Sequence, residues 1–84
     1  MNAIFTHETN DCKIFAHTAQ VHVDNRDYGL AREYITRAEN ALREADAAMK
    51  SGATQDEGEH EDQLETMSDL SDTLQSLEKQ LSEA

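Results

Sequence analysis

Basic residues are scarce in this chain. Seven lysines and arginines stand against eighteen aspartates and glutamates, a formal charge of −11 over 84 residues. So few bases disfavour direct binding to a nucleic-acid backbone or to an anionic membrane, both of which need basic patches; a basic partner would be attracted instead. Large apolar residues are scarce too. Leu, Ile, Val and Phe together number 14, under a fifth of the chain, a proportion that with high net charge ordinarily warns of disorder. There is no second cysteine, so Cys12 cannot close an internal disulfide. The opening MNAIFTHETND has neither a basic n-region nor a long apolar run, which excludes a secretory signal, and no segment approaches the ~20 apolar residues of a membrane span. These absences predict a reduced, cytoplasmic protein.

What the chain has in quantity is alanine, eleven in all, together with an ordered seam. Tyr28, Ile35, Leu42 and Met49 recur every seven residues, and Ala31, Ala38 and Ala45 follow the first three of them by three. That is an a/d pattern held for three heptads. Glu33 with Arg37, Glu39 with Arg43 and Asp46 with Lys50 each place an acid four residues before a base, the orientation that supports an exposed helix face. The pattern predicts an amphipathic helix over 27–50. A second seam, Met67, Leu70, Leu74, Leu77 and Leu81, preceded by Leu64, predicts another over about 60–82. The two are matched for an antiparallel hairpin about Gly52, with small alanines facing large leucines as a packed core prefers.

The N-terminal third is less regular. Thr9, Asn10 and Asp11 are available as helix N-caps. Helical spacing groups Cys12, Phe15, Ala16, Ala19 and Val23, whereas strand alternation groups Phe15, Ala19, Val21 and Val23. The helical template over 11–23 fits better, with a small β-element as the alternative. Asp24-Asn25-Arg26-Asp27 reads as a turn, with Asn25 or Asp27 capping the next helix. Thr54 with Glu57 forms a possible capping box, weakened by Gly58. Phe15 to Val23 and Asp27 to Leu42 resemble a single tetratricopeptide helix hairpin. Ala19, Tyr28, Ala31, Ile35 and Ala38 sit where that repeat wants small, aromatic or apolar residues, while Phe15 and His22 replace the Trp and Tyr of its first helix. The resemblance covers barely a third of the chain and implies helix-pair packing, with no function carried over, since about three such repeats are needed for a solenoid.

The charge is unevenly placed. Asp56, Glu57, Glu59, Glu61, Asp62, Glu65, Asp69 and Asp72 follow one another with no intervening Lys or Arg. Asp62, Glu65, Asp69 and Asp72 are offset by three and four, so they share the face opposite the leucine seam. Such a row is either a solvated face that keeps a small protein soluble or a set of carboxylates ~4.5–6 Å apart along the axis that imitates a phosphate backbone. No Asp-x-Asp-x-Asp-Gly loop makes a calcium site. His7, Cys12, His17 and His22 recur every five residues, a spacing that turns a helix by ~140° beyond a full circle and brings adjacent members to no common ion. The same spacing separates Cys12 from His17 as nucleophile and base. No metal ligand, cofactor site or catalytic residue is assigned, and no enzyme is expected.

The sequence therefore predicts one all-α domain over 1–84, a small three-helix antiparallel bundle built on a long helix hairpin. Tyr28, Ile35, Leu42, Met49, Met67, Leu70, Leu74, Leu77 and Leu81 form its seam or a dimer core. So thin a core is expected to gain from homodimerisation. The functional expectation is a non-enzymatic protein whose acidic helix occupies the basic, nucleic-acid-binding surface of a partner, similar in charge and size to phage anti-restriction and anti-CRISPR inhibitors. The alternative is a homo-oligomeric helical adaptor or structural subunit that works through its leucine seam.

Overall fold

A computed structural model describes residues 3–51 and 57–84, and these form three α-helices: α1, Ala3–Asp24; α2, Tyr28–Ser51; and α3, Glu57–Glu83. The β-alternative for the N-terminus falls, and α1 begins at Ala3 rather than near Asp11. Thr9, Asn10 and Asp11 are thus interior to a helix and cap nothing. The reason lies in Thr9, a buried polar residue in the core stripe between Phe5 and Cys12. Its Oγ1 donates to the carbonyls of Phe5 (2.9 Å) and Thr6 (3.1 Å), which satisfies the hydroxyl inside the helix and exposes only the methyl to the core. α3 likewise starts earlier than the leucine spacing suggests, at Glu57. The Gly52 turn and Thr54 lie outside the described residues.

The α1–α2 connection is closed by backbone geometry. The Arg26 amide donates to the Val23 carbonyl (3.0 Å) and the Asp27 amide to the His22 carbonyl (2.8 Å), the two bonds of a Schellman C-cap. Arg26 holds the left-handed position of that motif at φ 61°, where glycine is the usual occupant. Asp27 then opens α2: its backbone carbonyl accepts from the Ala31 amide (3.0 Å), and its Oδ1 lies 3.5 Å from the Leu30 amide. So tight a turn forces α1 and α2 antiparallel.

α1 and α2 are the closest pair in the bundle, and α3 stands further from both. Side-chain size accounts for this. α1 offers Cys12, Ala16 and Ala19, and α2 offers Ala38, Ala41, Ala45 and Ala48, all buried. With a methyl or a thiol at each of these positions, the backbones approach closely along the middle of the contact, and larger side chains such as Phe15 and Tyr34 pack beside it. Leu70, Leu74 and Leu77 of α3, 5%, 5% and 2% exposed, close the third side over Ile35 and these small residues. A second cluster of Phe5, Ala45, Ala48 and Met49, with Met67 against it, seals the far end. The result is a rod of 44 × 17 × 14 Å, too thin for more than one layer of core.

The seam residues divide by position. Ile35, Met49, Leu70, Leu74 and Leu77 are buried, whereas Leu42, Met67 and Leu81 are half-buried. Tyr28 is 37% exposed; as the first residue of α2 it stands at the end of the rod, where α1 and α3 both terminate. Leu64 is also exposed, and Gln63 is buried in its place. The three-and-four alternation run back from Met67 reaches residue 63, so a glutamine occupies the first seam position. Its Oε1 has no hydrogen-bond partner among the described residues.

The close α1–α2 contact makes a specific demand. Ala38→Leu should destabilise the protein by about 1–3 kcal/mol through overpacking, a fall in Tm of at least ~4 °C for a domain of this size. Ala47→Leu, on the exposed side of the same helix, should change stability by less than ~0.5 kcal/mol. Equal melting temperatures for the two variants would show that the alanine contact tolerates added volume.

Candidate functional site

The acidic row lies on the outer face of α3. Asp62, Glu65, Asp69 and Asp72 are all exposed, on the side of the helix opposite Leu70, Leu74 and Leu77. Among the described residues none of these four carboxylates has an ion-pair partner; the one lysine of α3, Lys79, reaches Glu83 at 4.0 Å. Thr66 and Thr73 turn their hydroxyls back onto the carbonyls of Asp62 (3.0 Å) and Asp69 (3.0 Å), so they add no positive charge to the face. Glu61 is exposed beside the row, and Glu59 is half-buried. Asp56 and the side chain of Glu57 fall outside the described residues. The four central acids span ten residues of helix, ~15 Å at 1.5 Å per residue.

A different carboxylate pair sits between helices. Glu39 of α2, half-buried, faces the exposed Glu78 of α3, and the two line the same groove. Burial, followed by the nearby Glu78 carboxyl, pushes the Glu39 carboxyl above its ordinary range, while Arg43 on the same helix opposes the shift. Arg43 is itself turned toward Asn40 Oδ1, at 3.1 Å. The pair stands midway along an open groove between α2 and α3.

The histidines and the cysteine do not converge. Cys12 is 0% exposed and its thiol is pushed up to about 11 by burial, with Lys13 opposing, which keeps it protonated and out of reach. His17 is exposed, while His22 is half-buried and stacks on Tyr34 with ring centroids 5.5 Å apart. Phe15 and the Arg37 guanidinium approach the same ring, at 6.2 and 5.4 Å. Tyr34, rather than Tyr28, is therefore the tyrosine that packs. His7 pairs with Asp11 at 3.3 Å, and Glu8 lies beside them, with the potential ligand atoms of all three within 4.8 Å. This is a side-chain contact at the surface of α1. Its signal in the sequence is the four-residue step from His7 to Asp11, which the five-residue spacing of the histidines obscures.

No family model, curated protein or solved structure matches the chain. Its chemistry is read from its own residues. Among the described residues no helix is long and apolar enough to cross a membrane.

The Glu39–Glu78 contact fixes the sign of one pH effect. A carboxyl whose pKa is raised on folding stabilises the fold at pH below the ordinary carboxylate range, and that contribution is lost as pH rises through the raised value. Glu39→Gln keeps a donor toward Glu78 and removes the charge. The variant should be more stable than the parent at neutral pH, on the order of 0.5 kcal/mol for like charges at a partly solvated rim, and no more stable at pH ~3.5, below the ordinary glutamate value. Thermal melts of both proteins at the two pH values would check it; a benefit that persists unchanged in acid would refute the assignment.

Proposed function

We propose that this chain is a non-enzymatic binding protein that lays the outer face of α3 on a basic, nucleic-acid-binding surface of another protein, acting there as an inhibitor that takes the place of a nucleic acid. The observation that carries this reading is the placement of Asp62, Glu65, Asp69 and Asp72. They are exposed together on one rigid helix, and no base from the described residues neutralises them. Their axial steps of ~4.5–6 Å repeat a negative charge at a spacing a phosphate-binding surface can follow. Holding four like charges on one helix face costs the isolated helix roughly 0.2–0.5 kcal/mol per pair. The leucine seam beneath offsets that cost and keeps the row straight.

The decisive comparison is a tagged pull-down from bacterial lysate, eluted in steps of salt, with Asp62→Asn, Glu65→Gln, Asp69→Asn and Asp72→Asn combined in one variant. The parent should retain a discrete basic protein that the variant loses, that salt releases as screening shortens to a Debye length of ~8 Å and below, and that added duplex DNA or RNA displaces. Identical recovery by the variant would end the proposal.

A second reading, a homo-oligomeric helical adaptor, is favoured by the apolar residues left outside the core. Ile14 and Val21 are 60% and 43% exposed, two helical turns apart on the same side of α1, where few acids would oppose the approach of a second copy. If this face assembles, light scattering over a wide concentration range should give a mass above the 9.4 kDa monomer, reduced by Ile14→Ser with Val21→Ser. A monomeric mass throughout would exclude it.

A further inference from the structure

The groove between α2 and α3 has an order of its own. Two adjoining stretches, of about 580 and 520 Å³, run from Arg32 to Asp46 along α2, and Glu39 and Glu78 line both of them. No residue of α1 contributes to either. The floor is apolar: Ile35, Leu42, Met67, Leu74 and Leu81. The groove exists because α3 is held off by leucines while α1 is drawn in by alanines, which leaves Leu42, Met67 and Leu81 only half covered. From Arg32 to Asp46 the opening is ~21 Å long, the length of about four turns of a further helix.

The charges inside it are few and asymmetric. Glu39, Asp46 and Glu78 face Arg32 and Arg43, so acids outnumber bases. The two bases stand apart from each other along α2, whereas two of the acids meet at the centre. Opposed carboxyls over an apolar floor match one kind of group above all. A guanidinium presents planar, paired donors that can bond two carboxylates at once, and it brings the charge that ionised carboxyls there lack.

We infer that the α2–α3 groove is a docking site for an amphipathic helix of a partner protein, with apolar side chains at helical spacing on the floor and an arginine seated between Glu39 and Glu78. Charge complementarity selects the occupant. A second copy of this chain is a poor one, because its charge of −11 repels itself. The site is distinct from the outer acidic face, since Asp62, Glu65, Asp69 and Asp72 do not line it. A guanidinium bonds the ionised carboxyls, so binding strengthens as pH rises through the carboxylate range. The charged groups that line the groove with Glu39 are Glu78 from α3 and Arg32, Arg43 and Asp46 from α2.

The probe is a fluorescein-labelled amphipathic peptide of about 18 residues, with leucines at helical spacing and one central arginine, beside a twin carrying glutamine there. Fluorescence anisotropy with the full chain should show the arginine peptide binding at least about tenfold tighter than its twin at pH 7, a preference of ~1.4 kcal/mol. That preference should shrink at pH 4. Glu39→Gln with Glu78→Gln should erase it while leaving the helical circular dichroism intact, and Ser71→Trp, which fills the groove from a half-buried lining position, should abolish binding of both peptides. The four-site neutralised variant of the outer face should keep the preference, so this inference and the proposed function fail separately. Absence of binding by either peptide, equal affinity of the twins, or an equal loss on neutralising the outer face would overturn it. So would sedimentation showing a dimer that the groove substitutions dissociate, which would make the occupant a second copy.

Discussion

The structure depends on how closely two backbones can approach. At the middle of the α1–α2 contact most buried positions are alanine, with Cys12 the largest buried side chain on the α1 side there. Each alanine buries little apolar surface and contributes correspondingly little by transfer from water. It also loses no side-chain entropy on burial, and alanine has the highest helix propensity of all residues. A chain with only 14 large aliphatic and phenylalanine residues can therefore still close a core. The condition is that the two helices lie close together, and the three-residue turn at Asn25–Asp27 holds them there.

The rest of the architecture is a consequence. Once α1 takes the alanine side of α2, α3 has only the Ile35–Leu42 side left, and its leucines are too large to come equally near. Leu70, Leu74 and Leu77 are covered, while the edge toward α2 stays open. The charge distribution follows the same division. Pairs such as Arg37 with Glu33 and Lys50 with Asp46, at 3.1 and 2.9 Å, leave α2 close to balanced, whereas the outer side of α3 has acids without partners. The molecule thus has one nearly neutral pair of helices and one helix that carries most of the negative potential.

The sequence shows the regular parts of this arrangement and hides the irregular ones for identifiable reasons. The heptads from Ile35 to Met49 and from Met67 to Leu81 announce their helices because their apolar residues are large and regularly spaced. What escapes is any core position filled by a polar residue. Thr9 conceals the first turns of α1 because its hydroxyl bonds to its own helix, and Gln63 conceals the first seam position of α3. Neither is visible to a hydropathy pattern. The choice of partner was also misleading: the seam suggests α2 with α3 as the principal hairpin, yet Ala41 and Ala48, which extend the small-residue row toward α1, make the other pairing the closer one. The acidic row is legible as a face because offsets of three and four suffice for that. The Glu39–Glu78 contact is not legible, since Glu39 reads within α2 as the partner of Arg43 and only the antiparallel register of α3 brings Glu78 opposite.

The uneven packing has a consequence for motion. α3 is tied to the other helices by one row of leucines, a methionine and the reciprocal Gln20–Gln80 amide pair, at 2.9 and 3.1 Å, whereas α1 and α2 hold each other along most of their length. Cooperative opening in proteins proceeds by units of unequal strength. Here the less firmly held unit is the acidic helix, so its amides are expected to be less protected from exchange than those of α1 and α2. The helix that carries the charge is thus the one the rest of the molecule holds least firmly.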